Sequence, residues 1–147
     1  MALRKTRPKV HSEPAITITR TAYAASELVY VAYANKPLRY RHGVWRIAYI
    51  GTTKHGAWRV AASAVWKAEE VFTRKGVHTL EFWLISAPRQ GKHPTYRKLE
   101  RALLLRFRER FGSIPHANKQ GSNLRWRDEY DYFTHAKIDD IITVFSQ

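Results

Sequence analysis

Between Arg46 and Arg59 the chain reads RIAYIGTTKHGAWR. Tyr49, Gly51, Lys54, His55 and Arg59 follow one another across a strand-to-helix connection that needs none of them for its geometry. Their chemistry suits a phosphate. Arg59 offers a fixed fork of donors to phosphate oxygens and keeps its charge, and Lys54 and His55 add donors from the loop. A tyrosine at its ordinary pKa near 10 is a poor base at neutral pH, but cations or a metal beside it favour the phenolate. Farther on, Glu100 stands beside Leu103 and Leu104 at the edge of an apolar stripe, where an unpaired carboxylate is costly.

The elements that must position these groups are legible in the pattern. ELVYVAYA (27 to 34) and VWRIAYIG (44 to 51) are short runs rich in Val and Tyr, suited to a largely buried sheet. NKPLRYRHG between them, with Pro37 and Gly43, makes an antiparallel hairpin with a long charged tip that carries Arg39 and Arg41. Val60, Ala64, Ala68, Val71 and Phe72 recur at helical spacing, so a helix with one apolar face runs from Trp58 to Phe72 and Gly76 closes it. VHTLEFWLIS (77 to 86) returns to strand composition. In TYRKLERALLLRFRERFG, Leu99, Ala102, Leu103 and Phe107 line a second helix that Gly112 terminates. SIPHANKQGSN is loop, and DDIITVFSQ is a last strand or a helix end.

Composition bounds the function. The chain has 147 residues, the size of one domain, and 44% apolar with 13% aromatic residues are enough for a folded core. Residues 1 to 14 form a flexible basic arm with little to bury, and 15 to 147 form the domain. Twenty-six Lys and Arg against 12 acidic residues give a net charge of +14, which points to a nucleic-acid partner. With no cysteine, a disulfide framework, a thiolate metal site and a cysteine nucleophile are excluded. His42, His93, His116 and His135 lack zinc-ligand spacing. No apolar run approaches a membrane span and the first residues lack the apolar core of a signal peptide, so a cytoplasmic, nucleic-acid-associated protein is expected.

The order of strand, basic hairpin, strand ending in Tyr-Ile-Gly, helix, strand, acid-bearing helix and asparagine loop resembles the GIY-YIG nuclease family over roughly residues 28 to 120. Leu28-Val29-Tyr30 stands at the first signature triplet and Tyr49-Ile50-Gly51 reproduces the second; Arg59, Glu100 and Asn118 fall at the family's arginine, glutamate and asparagine positions. Leu28 replaces the first glycine. Ser63 occupies the place, one turn after the arginine, where members commonly carry His or Tyr, and Thr52 and Thr53 precede Lys54 where many have an early lysine.

The resemblance implies an α/β (α+β) domain with a small, mainly antiparallel three-stranded sheet flanked by helices. It also implies metal-dependent hydrolysis of DNA phosphodiesters. Tyr30, Tyr49, Arg59 and Glu100 would be catalytic, Glu100 would hold Mg2+ or Mn2+, and Gly51, Lys54, His55, Asn118, Arg39 and Arg41 would meet the substrate. A single carboxylate suffices for magnesium, which keeps most of its waters. A homodimer or a partner protein could supply specificity. The alternatives are an impaired nucleic-acid-binding module of the same fold and a basic RNA-associated protein.

Overall fold

The run Leu28-Val29-Tyr30-Val31-Ala32 is buried at every position, because it lies in the middle strand of the sheet with cover on both faces. A computed structural model describes residues 7–19 and 25–146. Its elements are β1 (Leu28–Tyr40), β2 (Gly43–Thr53), α1 (Ala57–Phe72), β3 (Leu80–Ser86), α2 (Tyr96–Phe111), α3 (Glu129–Tyr132) and α4 (His135–Val144). The three strands are antiparallel in the order β2-β1-β3, so the protein is α+β. Among the described residues no helix is long and apolar enough to cross a membrane. Residues 7–14 carry no helix or strand and are exposed, whereas residues 1–6 of the expected basic arm lie outside the described residues. Among the described residues the first regular element begins at Leu28.

The hairpin departs most from the sequence expectation. Its strands run through the supposed charged tip, and the turn consists of Arg41 and His42 alone. Leu38 and Tyr40 alternate inward, 2% and 5% exposed, while Arg39 between them points out. Pro37 is accommodated because regular pairing breaks there: Tyr33 faces Ile47 and Leu38 faces Trp45, so five steps on β1 answer two on β2. Asn35 occupies the irregular stretch. Its amide donates to Gly76 O (3.0 Å) and accepts from His78 N (3.0 Å) and Thr79 N (3.1 Å), fixing the approach to β3.

α2 ends as its sequence demands, with Gly112 left-handed at φ 82° and its N–H on Arg108 O. Its buried side, Leu99, Leu103 and Phe107, joins Val29, Val31, Ile47, Ile50, Ile138 and Ile142 in the core. The C-terminal stretch, open between strand and helix in the sequence, is helical: Thr134 caps α4 by accepting from Lys137 N, and Ile138 and Ile142 turn inward. α1 differs from its expected single apolar face. Only Val60 and Val71 are buried, and Phe72 is exposed.

Candidate active site

Register brings the two tyrosines together. Tyr30 pairs with Gly51 and Ala32 with Tyr49, so alternation puts Tyr30, Tyr49 and Gly51 on one face of the sheet. Phe82, opposite Ala32 on β3, extends that face. The Tyr30 and Tyr49 rings lie 5.6 Å apart, and Phe82 lies 6.1 Å from Tyr30. Gly51 makes this possible: a Cβ there would stand 2.5 Å from Tyr49 Cε1 and 2.9 Å from Tyr30 Cζ. The space above Gly51, expected to admit substrate, is filled by the two rings.

The electrostatics of the pair are asymmetric. Burial, then the neighbouring Tyr30, then the charge of Glu100 push the Tyr49 phenol well above its ordinary pKa. Tyr49 is therefore a neutral hydroxyl at neutral pH. Glu100 lies on α2, half-buried, and burial raises its carboxyl against the lowering pull of Arg97 and Arg101. Among the described residues no ion pair or hydrogen bond engages the Glu100 side chain. The resulting arrangement holds a neutral phenol within the field of a carboxylate kept partly out of water.

The cation that touches this pair is not Arg59. Lys67 Nζ lies 4.2 Å from the centre of the Tyr49 ring, close enough for a cation–π contact. Arg59 is exposed and has no ion pair among the described residues, and it lies on the same edge of α1 as Ser63 and Lys67 at spacings of four and eight. Ser63 offers the site nothing, since its hydroxyl turns back onto Val60 O (3.1 Å). The signal for Lys67 was that edge spacing, which a search of single positions passes over.

The side chain of Asn118 is engaged with the backbone of β2. Its Oδ1 accepts from Ile50 N (3.0 Å) and its Nδ2 donates to Ile50 O (2.8 Å), while Ala117 N bonds Ala48 O (2.9 Å). The side-chain amide thus stands in for a further strand along the outer edge of β2 and holds Tyr49 between its two neighbours. Lys54 and His55 are exposed in the loop ahead of α1. Thr53 shapes that loop: its Oγ1 donates to Gly56 O and accepts from His55 N, both at 3.2 Å. Arg39 and Arg41 are exposed at the far end of the hairpin, where the Arg39 carbonyl accepts from His116.

The basic stretch of α2 is largely engaged with the protein. Arg106 binds Asp139 through two nitrogens (2.7 and 3.1 Å) and Arg108 binds Ser122 O and Leu124 O (both 2.6 Å). Arg101 meets Glu129, 1% exposed, at 2.7 Å. Lys98 meets Asp128 at 2.6 Å. Among the described residues no three His, Asp or Glu side chains gather as a metal cage. Comparison of the chain with family models, with curated proteins and with solved structures returns no match in any of the three.

Proposed function

We propose that the protein is a metal-dependent endonuclease acting on DNA phosphodiesters, with a site of the GIY-YIG type. The observation that carries this reading is the packing of Tyr30 and Tyr49 over Gly51, within the field of Glu100 and under Lys67. In this reading Tyr49 presents a neutral hydroxyl that holds and positions a proton at a reacting oxygen. Lys67 steadies the ring from its face, and Arg59, Lys54 and His55 bind phosphate oxygens as they approach along α1.

A half-buried carboxylate without an ion pair is the donor a magnesium or manganese ion could take, so Glu100 would hold it. When bound, such an ion neutralises charge building on the phosphoryl oxygens. The same observations favour one rival reading. The influences acting on Tyr49 raise its pKa and Ser63 faces the helix backbone, as would suit a module that binds nucleic acid and no longer cuts it.

Cutting of labelled DNA in magnesium against EDTA separates the two. The nuclease reading expects magnesium-dependent products, Glu100→Gln at the EDTA background, and Tyr49→Phe reduced by about 10²- to 10⁴-fold. Binding without magnesium-dependent products would establish the rival.

A further inference from the structure

α1 is apolar on the side that faces away from the protein. Trp58, Ala62, Val65 and Trp66 follow in helical steps on that side, with Phe72 beyond the exposed Glu69, and all are exposed, Trp58 by 54% and Trp66 by 77%. A helix apolar on both sides is ordinarily covered on both, and contiguous exposed apolar surface marks a binding face. The indoles differ from the other tryptophans in one respect. Trp45, Trp83 and Trp126 direct their ring N–H groups to Ile142 O, Glu81 and Glu109, whereas Trp58 and Trp66 have no hydrogen-bond partner among the described residues.

Cations accompany the rings. Arg59 follows Trp58 and Lys75 lies just past Phe72, while Lys67, next to Trp66, is turned to the Tyr49 ring. Arg59 and Lys75 are exposed and their side chains have no ion pair among the described residues, whereas the charge of Arg74 acts on Tyr40 and His116 at the hairpin end. A flat ring beside an unengaged cation is what a nucleotide needs, with the base on the ring and the phosphate on the charge. A second copy of the chain suits the face less well. A 16-residue helix is about 24 Å long, and one such face falls short of the roughly 800 Å² per partner of a stable interface. The net charge of +14 also opposes self-association.

We propose that the outward face of α1 is a stacking platform for single-stranded DNA, on which Trp58 and Trp66 take unpaired bases while Arg59 and Lys75 hold the backbone at its two ends. From Trp58 to Phe72 the platform runs about 21 Å at the helical rise. The proposal rests on the nuclease reading in assuming a DNA substrate, and it assigns to that substrate an unpaired segment beside the cut.

The test is fluorescence anisotropy in EDTA, where nothing is cut, with a short labelled oligothymidylate and a blunt duplex of the same length. Trp58→Ala with Trp66→Ala should weaken oligothymidylate binding by about tenfold or more, the equivalent of ~1.4 kcal/mol, with duplex binding and thermal stability little changed. Trp58→Phe with Trp66→Phe should retain most of the affinity. Equal losses on both DNAs, or none on either, would overturn the platform. So would a wild-type dimer that the alanine variant abolishes, since the face would then be a contact between copies. Wild type that binds neither DNA would end the platform and the nuclease reading together. The expected pattern without magnesium-dependent cutting would end the nuclease reading alone.

Discussion

α1 and α2 are the same length, 16 residues each, and carry opposite assignments of apolar and charged groups. α2 buries eight side chains and ties Lys98, Arg101, Arg106 and Arg108 to carboxylates and carbonyls of the C-terminal third. α1 buries two, and leaves Trp58, Trp66 and Arg59 facing solvent. The more basic-looking helix is thus the structural one. Arginines earn a place on a binding surface only when nothing inside the molecule already satisfies them. A sequence reports their number and not their partners.

The comparison breaks most visibly at Arg101. Removing it leaves Glu129 charged and buried, so Arg101→Ala should destabilise the fold by about 3–5 kcal/mol, whereas Arg59→Ala should stay within roughly 0.5 kcal/mol of wild type. Urea unfolding of the two variants side by side checks this. Equal stabilities would mean that α2's ion pairs are as dispensable as surface charge.

Gly51→Ala comes next. The added methyl collides with both tyrosine rings, and overpacking of this kind costs about 1–3 kcal/mol. Its near-ultraviolet dichroism should change with the parting of the rings, and an unaltered spectrum would show that the pair is loosely held.

Glu100 supplies a smaller effect with a telling sign. Its folded pKa lies above the unfolded value, so the folded state holds more protons between the two, and stability falls as pH rises through that window. Glu100→Gln removes the penalty. The variant should melt at or above the wild-type temperature at neutral pH, with the gap closing as the pH falls below the unfolded pKa. Asp139 carries the opposite sign. The Arg106 hydrogen bonds hold its carboxyl below the usual range, so its contribution is present above the unfolded pKa and disappears as pH falls through the folded one. Asp139→Asn should flatten that acid limb.

The smallest change lies in salt dependence. In magnesium-free buffer, Arg39→Ala with Arg41→Ala should reduce the slope of log affinity against log salt by about 0.9 per lost contact on duplex DNA. Arg106→Ala should leave the slope as it is.

Most elements could be read from periodicity, and the reasons for the exceptions are physical. Leu99, Leu103 and Phe107 announce α2 because one face meets the core throughout. The hairpin misleads because Pro37 and three cations suggest a loop, while the buried Leu38 and Tyr40 among them keep the strand going. The tyrosines are visible as a spacing, but their contact depends on a register that Gly51 permits. Lys67 was legible only as a residue on the Arg59 edge of α1, and its contact with Tyr49 required the fold because the ring lies on another element. Asn118 was legible as a conspicuous residue, and its bonds to Ile50 required the fold.

The bracket that Ala117 and Asn118 place on β2 also bears on what many copies of this chain could do together. A sheet with two bare edges can template a neighbour that templates another, and so grow into a fibre. Here a loop occupies β2 at Ala48 and Ile50, in the middle of its outer edge, and β3 is the other outer strand, to which no described strand pairs. If two molecules joined edge to edge through β3, each would use its more open ladder on the other, and the interrupted edge of β2 would oppose further growth.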